Sequence, residues 1–187
     1  FTVAPEAGSP RLRRVINKPL SEEQIEEAAE RVFRAGWRHI KFYYMIGLPT
    51  ETDEDILGIV RTARACQAIG RRFTSQADIH VSTSTFTPKP FTPFQWEPQI
   101  PREEIERKQA ILKEELRKTR LTYRWGDARL SFLEAVFSRG GRRLGAVLER
   151  AMRLGARFDG WSDRFREDVW REAFAAEGIE PEFYALR

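Results

Sequence analysis

A glycine–proline turn directly follows an apolar run, residues 39–46, and begins with Gly47, Leu48 and Pro49. Glycine has no side chain, so the backbone at Gly47 can approach a ligand closely. In parallel α/β folds, ligands bind at the carboxyl ends of strands. The pattern indicates either a backbone surface at Ile46 and Leu48 for a flat ring such as adenine, or a plain strand-to-helix turn.

Two further apolar segments are followed by unusual loops. Glu6 lies at the end of the first segment, and Lys18 follows it twelve residues later. That spacing allows both side chains to face the same ligand. After another apolar run, residues 86–96 contain three prolines, which predicts an extended loop. Three successive strand ends that carry such loops favour a ligand-binding edge of a sheet.

Capping signals and hydrophobic periodicity predict the elements that position these loops. Ser21 and Gln24 have the spacing of a capping box, and Gly36 is a natural helix end. An initial strand is followed by strands predicted at 39–46 and 77–87 and by helices at 21–36, 52–70 and 101–123. In the last helix we expect Glu104 and Lys108 to pair on the surface. The alternation predicts parallel strands.

Three parallel strands are too few for a closed sheet, so the predicted fold class is α/β, half of a TIM-type barrel. We predict that residues 1–98 form the half-barrel and residues 99–187 form an α-helical extension, broken at 140–141, 157–160 and Gly178. The chain opens with Phe1 in an apolar stretch and is expected to be a piece of a longer polypeptide, whose remainder it contacts. Open sheet edges favour self-association.

Composition predicts a cytoplasmic protein with no membrane partner. Hydrophobic residues make up 41% of the chain and charged residues 32%. No apolar run approaches the roughly 20 residues that span a bilayer, and we expect no signal peptide, because the first residues lack a basic region followed by an apolar one. The single cysteine, Cys66, excludes an internal disulfide and fits a reducing compartment.

Taken together, the motifs resemble the second half of a radical S-adenosylmethionine (SAM) barrel. The resemblance rests on Glu-Ala-Gly-Ser-x-Arg-Leu at 6–12, Ile-Gly-Leu-Pro-Thr-Glu-Thr at 46–52 and Pro-x-Pro-x-Thr-Pro at 88–93. More narrowly, residues 88–96 and 154–161 resemble the subfamily that carries a cobalamin-binding domain ahead of the barrel and whose reaction is poorly defined.

This resemblance implies roles for individual residues. Glu6 takes the place of the residue that contacts the SAM ribose, and Lys18 that of a basic residue, Arg in many relatives, that meets the SAM carboxylate. Adenine is expected to lie against the backbone of Ile46, Gly47 and Leu48. The substrate is expected to lie near Phe86 and Pro88. The complete implied cofactor-binding set is Glu6, Ser9, Lys18, Ile46, Gly47, Leu48, Pro49, Phe86 and Pro88. No catalytic residue is predicted.

The family binds a 4Fe–4S cluster through three cysteines spaced C-x-x-x-C-x-x-C, and thiolates are the ligands of such clusters. Cys66 lies in a predicted helix and is expected to be a buried small hydrophobic residue. We therefore expect upstream residues to bind the cluster, no metal ligand in this chain, and no activity of this chain alone. The narrower resemblance adds cobalamin, bound through a separate domain, as a further expected cofactor.

The predicted parent enzyme cleaves SAM to a deoxyadenosyl radical that acts on a small molecule or an RNA. One alternative is an RNA-modifying radical SAM enzyme similar to tRNA methylthiotransferases. Residues 111–157 hold twelve basic and five acidic residues, a net charge of +7 that suits either phosphate binding or solvated helix faces. The other alternative is a non-enzymatic helical binding module on a degenerate barrel.

Three smaller patterns leave their interpretation open. His39 and His80 have no neighbouring cysteines, so their spacing predicts no metal site. The hydroxyl residues at 82–85 suit a polar cavity or an exposed strand face equally well. Trp161, Phe165 and Trp170 are spaced like one buried helix face more than like a base-stacking platform.

Overall fold

The computed structural model describes residues 1–119 and 121–187 as two compact units. The first unit contains Phe1–Thr85 and Ile105–Trp125. The second contains Phe86–Glu104 and Gly126–Arg187. The domain boundary predicted after residue 98 stays a prediction.

A parallel sheet forms the centre of the first unit. Within the described residues its four strands are β1 (Thr2–Glu6), β2 (His39–Ile46), β3 (Asp78–Thr85) and β4 (Thr122–Trp125), in the spatial order β1-β2-β3-β4. A doubly wound sheet reverses its strand order at a switch point, whereas a barrel keeps the order of the chain. The α/β class with parallel strands is therefore confirmed, and the strand order is consistent with part of a barrel.

Helices connect the strands and cover one face of the sheet. In chain order they are α1 (Pro10–Val15), α2 (Glu22–Arg34), α3 (Asp53–Arg71) and α4 (Arg102–Thr119). Ser21 and Gln24 form the predicted capping box of α2, and Thr52 and Asp55 form a second one at the start of α3. The helices predicted near 21–36 and 52–70 are confirmed, whereas the short helix α1 was not predicted.

The two faces of the sheet differ in character. Alternate residues of β2 and β3, among them Phe42 and Val81, are buried together with α3 residues such as Ala63. The other face, which we call the open face, carries partly or fully exposed side chains: His39, Lys41, Tyr43 and Met45 of β2, and Asp78, His80, Ser82 and Ser84 of β3. This alternation of buried and exposed residues is typical of a sheet that packs against helices on one face only.

Strand β4 corrects the sequence prediction. A helix was predicted to run to residue 123, but α4 ends at Thr119 and Thr122–Trp125 pair with β3. Threonine and aromatic residues favour strands, and the Tyr123 hydroxyl lies 2.8 Å from the Thr83 hydroxyl. Tertiary pairing therefore outweighs the helical pattern there. Residue 120, which was part of the predicted helix, lies outside the described residues.

The second unit is helical, as predicted. It contains α5 (Ala128–Arg139), α6 (Leu144–Arg153), α7 (Glu167–Ala176) and α8 (Pro181–Ala185). Helices α5 and α7 end near the predicted breaks at 140–141 and Gly178, whereas α6 ends at Arg153, before the break predicted at 157–160. Trp170 is buried in α7, but Trp161 is exposed in a loop, so the three aromatic residues do not form one helix face. Within residues 1–119 and 121–187, no helix is long and apolar enough to span a bilayer.

Candidate functional site

The loop that follows β1 makes close backbone contact with α3. A Cβ atom on Gly8 would lie 1.9 Å from the carbonyl oxygen of Asp55. A Cβ atom on Gly58 would lie 2.1 Å from the carbonyl oxygen of Gly8. Only glycine fits at both positions without displacing backbone. The glycine of the Glu-Ala-Gly-Ser motif is thus a packing residue, a role that the sequence did not indicate.

A polar cluster, which we call the Asp55 clamp, connects this loop to the loop that follows β2. It consists of Ser9, Arg11, Thr50, Thr52 and Asp55. The Asp55 carboxylate accepts hydrogen bonds from the Ser9 hydroxyl, the Arg11 guanidinium and both the amide and hydroxyl of Thr52, the last two at 2.8 Å. Arg11 also donates to the Thr50 carbonyl at 2.8 Å. The loop after β1 is therefore fixed to the loop after β2.

The charge of Asp55 is stabilised by these donors. Burial by itself would raise the pKa of Asp55, but hydrogen bonds from Ser9, Thr52 and Arg11 together lower this pKa to about 2. The carboxylate is therefore ionised throughout the neutral range and keeps its four donors. This makes the Asp55 clamp a rigid base for the strand ends.

Glu6 and Lys18 lie side by side at the end of β1. The Lys18 ammonium donates to the Glu6 carboxylate at 3.1 Å, and both side chains are partly exposed. Glu6 has a φ of 68°, a left-handed conformation that is uncommon outside glycine. Such conformations are concentrated at functional sites. The proximity that the spacing of twelve residues predicted is present in the structure.

Arg13 places Lys18 beside Glu6. Its fully buried guanidinium donates to the carbonyl of Ala7 at 3.1 Å and to that of Leu20 at 2.6 Å. The Arg13 carbonyl in turn accepts from the Lys18 amide at 2.8 Å. Burial lowers the pKa of Arg13, yet a guanidinium stays protonated at neutral pH. Sequence analysis missed this residue, because its burial depends on how the loop folds back over α1.

The Gly47 turn is held by a buried ion pair. Gly47 has a φ of 80°, and its amide donates to the Glu51 carboxylate at 2.7 Å. The Lys108 ammonium lies 3.2 Å from the same carboxylate oxygen, and the Lys108 and Glu51 side chains are only 4% and 2% exposed, respectively. Burial raises the pKa of Glu51, and the Gly47 amide and Lys108 oppose that change. The predicted surface position of Lys108 is wrong, because its side chain is buried in the first unit, and its pairing with Glu104 stays a prediction.

The other predicted cofactor-binding residues lie in two places. Ile46 and Leu48 are buried around the Gly47 turn, and Pro49 is half-buried. The Ser9 hydroxyl caps α1 by accepting from the Leu12 amide at 3.1 Å, in addition to its bond with Asp55. Their roles in cofactor binding stay predictions.

Phe86 and Pro88 belong to the second unit, where both are buried. The Phe86 ring contacts Phe94 edge-on, with ring centroids 6.0 Å apart. Its carbonyl accepts from the Gln99 side chain at 3.1 Å. The predicted place of Phe86 and Pro88 near a substrate stays a prediction.

Two observations bear on metal binding. Cys66 is buried in α3 as expected, and burial raises the pKa of its thiol to about 12, so the thiolate that an iron–sulfur cluster requires is disfavoured. His39 and His80, in contrast, converge with Asp78 at the amino ends of β2 and β3. The spacing analysis of the two histidines did not find this group.

Residues 1–63 match the sequence model of the Radical SAM superfamily. The matched third of the chain runs from β1 into α3 and contains both loops described above. Over 97 residues, the chain is 37% identical to an uncharacterized protein, MJ0966, of Methanocaldococcus jannaschii. That alignment covers 52% of this chain, and the chain spans about a fifth of the length of the relative. No solved structure shows a significant match.

Proposed function

We propose that this chain is the SAM-binding part of a radical SAM enzyme. The observation that carries the proposal is the position of the Glu6–Lys18 pair and the Gly47 turn. Both lie at the carboxyl ends of neighbouring parallel strands, within the segment that resembles the Radical SAM superfamily. Strand ends of this kind are the usual ligand-binding edge of parallel α/β folds.

The residues present fit the chemical groups of SAM. A lysine ammonium suits a carboxylate as a point charge, and the Glu6 carboxylate can accept hydrogen bonds from two ribose hydroxyls. The present Glu6–Lys18 ion pair is partly exposed, and separating such a pair costs only about 1 kcal/mol or less. Both groups are thus available to a ligand that offers them better partners.

The rest of the first unit would hold these groups in place. Arg13 fixes the loop that carries Lys18, and the Asp55 clamp joins the loop after β1 to the loop after β2. The buried Glu51 carboxylate accepts from the Gly47 amide and so fixes the turn against which adenine is proposed to lie. Groups fixed before the ligand arrives reduce the entropic cost of binding.

The residues of this chain do not fit an iron–sulfur cluster. Cys66 is its sole cysteine, and that thiol is buried with a raised pKa. We assign the cluster to cysteines in another part of the parent polypeptide and expect this chain alone to be inactive. In the complete enzyme, SAM and the cluster would together supply radical chemistry, while this chain binds and orients SAM.

The narrower features of the proposal rest on motifs and composition. Use of cobalamin rests on the motif resemblance at residues 88–96 and 154–161, and the cytoplasmic location rests on composition and the single cysteine. Among the basic residues of segment 111–157, Lys118, Arg150 and Arg153 each form an ion pair with a glutamate. Such pairing reduces the charge offered to RNA, so we favour a SAM-binding role without committing to an RNA substrate.

The first test is the iron and labile sulfide content of the full-length polypeptide, purified without oxygen and reconstituted. We expect about four of each per chain, lost on replacement of the upstream cysteines. Reconstituted protein that binds no iron would refute the enzyme proposal and favour the binding-module alternative.

The second test assigns the SAM contact. Lys18→Ala should weaken SAM binding by about tenfold, because a charge-assisted hydrogen bond contributes about 1.5 kcal/mol or more. Lys18→Arg should retain binding, since a guanidinium also pairs with a carboxylate. Lys118→Ala, which removes a different exposed, ion-paired lysine, is the matched control. Equal SAM affinity of Lys18→Ala and the control, by equilibrium dialysis, would contradict the assigned contact.

A further inference from the structure

Three potential metal ligands converge at the amino ends of β2 and β3. His39 is the first residue of β2, Asp78 is the first of β3, and His80 follows two residues later on the same face. The parallel register places His39 opposite Asp78. One donor atom from each side chain lies within 4.8 Å of the others. The sheet itself therefore brings the three side chains together from 39 residues apart in the chain.

The Asp78 carboxylate lies at the centre of this group. One of its oxygens is 2.6 Å from Nε2 of His80 and 3.2 Å from Nδ1 of His39. In a tetrahedral zinc site with bonds of about 2.0 Å, donor atoms are roughly 3.3 Å apart. The two distances from the carboxylate oxygen are no longer than that value, and the two imidazole nitrogens lie within 4.8 Å of each other, so side-chain rotations would place all three donors around one ion.

The nearest basic side chains along the chain are directed to other partners. Arg38 donates to the Gln76 side chain at 2.6 Å. The Lys41 ammonium lies 4.4 Å from the centroid of the Tyr43 ring, farther along β2. On the opposite face, Ile40 and Ile79 are buried and hold both strands in register. The group thus combines a fixed backbone with exposed donor atoms, and the His39 side chain is 70% exposed.

We propose that His39, Asp78 and His80 form a binding site for a zinc ion, with the remaining coordination position open to water. Two imidazole nitrogens and one carboxylate oxygen are a donor set that zinc accepts, whereas magnesium and calcium prefer oxygen donors. The site lies about 26 Å from Gly47, since eight strand residues separate them at about 3.3 Å each. It is therefore independent of the proposed SAM site.

The test is zinc binding by the untagged 187-residue chain after removal of metals with a chelator. We expect one zinc ion per chain to remain bound after gel filtration, and added cobalt(II) to show the visible absorption of tetrahedral coordination. His80→Asn and Asp78→Asn should each weaken zinc binding at least tenfold. Asp163→Asn, which changes an exposed aspartate of the second unit, is the control and should bind as the unaltered chain does.

A second measurement separates lost ligands from lost structure. In the presence of chelator, the melting temperatures of His80→Asn and of the unaltered chain should agree. With zinc, only the unaltered chain and Asp163→Asn should melt at a higher temperature, because an ion that binds the folded state alone stabilises it. Zinc content near zero in the unaltered chain, or equal zinc affinity in the histidine variant, would overturn the proposal.

Discussion

The two ends of the sheet differ in how their charged side chains are buried and paired. At the carboxyl ends, Asp55, Glu51 and Lys108 are buried charged groups with fixed partners, although the Glu6–Lys18 pair there stays partly exposed. At the amino ends, His39, Asp78 and His80 contact mainly one another and remain partly or largely exposed. The same strands thus support a rigid polar framework at one end and an accessible cluster at the other.

This difference shows what each end requires from the fold. The loops at the carboxyl ends lack the backbone hydrogen bonds that join neighbouring strands. Contacts of Gly8, Arg11 and the Asp55 carboxylate must therefore fix these loops. The amino-end cluster needs only the register of β2 and β3, which the hydrophobic face of the sheet already sets. Changes at the carboxyl ends should therefore cost much more stability than similar changes near the amino ends.

The largest expected effect is that of Lys108→Met. It leaves the Glu51 carboxylate buried without its ammonium partner, which should lower the free energy of unfolding by about 4 kcal/mol. The loss should shrink as the pH falls, because protonation of Glu51, whose pKa is already raised by burial, removes the buried charge. Urea denaturation at several pH values measures both effects.

Lys41→Met is the matched change on the open face near the amino ends. It removes only the contact of the Lys41 ammonium with the Tyr43 ring and should cost less than about 1 kcal/mol. Equal losses for the two lysine variants would contradict the proposed difference between the ends of the sheet.

A pair of helix glycines gives the next largest effect. Gly58→Ala places a methyl group against the Gly8 carbonyl and should destabilise the protein by about 3 kcal/mol. Gly145→Ala, in α6, meets nothing within 4 Å and should stabilise the protein by up to about 1 kcal/mol through helix propensity. Thermal melting of both variants tests the sign. A stabilising Gly58→Ala would mean that the close contact between the β1 loop and α3 is absent.

The smallest of the three effects concerns Asp55 and depends on pH. The folded-state pKa of Asp55 is about 2, below the ordinary value of about 3.9, so its contribution is fully present above that ordinary value. It should be lost as the pH falls from about 4 to 2. Asp55→Asn should therefore cost about 2 kcal/mol at neutral pH and progressively less in acid.

Asp163→Asn serves again as the control for Asp55→Asn, because its side chain is exposed. Its free energy of unfolding should stay within about 0.5 kcal/mol of that of the unaltered chain. A loss in Asp55→Asn that is constant from neutral pH down to pH 2 would show that the charge of Asp55 does not stabilise the fold.

Features that depend on neighbours in the sequence were predicted well. The capping box of Ser21 and Gln24, the strand at 39–46 and the helix breaks near 140 and 178 all follow from local hydrogen bonding, periodicity and glycine. The spacing of Glu6 and Lys18 was also sufficient, because a single short helix separates them. The Radical SAM resemblance rests on the same local motifs.

Features that depend on distant partners were missed or predicted wrongly. The predicted helix extends to residue 123, but in the structure residues 122–125 form a strand that pairs with β3 through backbone hydrogen bonds. The sequence predicts that Lys108 lies on the surface, but in the structure Lys108 is buried beside the Glu51 carboxylate. His39 and His80 have no metal-binding spacing and converge only through strand register.

The sequence by itself determined the α/β class, most element positions and the loops that carry the candidate site. Those properties come from interactions over a few residues, whose free energies are already set by local residue type. Only the tertiary structure decided which charges are buried, which glycines must stay glycine, and which histidines meet a carboxylate. These properties depend on contacts between residues tens of positions apart, and such contacts exist only once the sheet has formed.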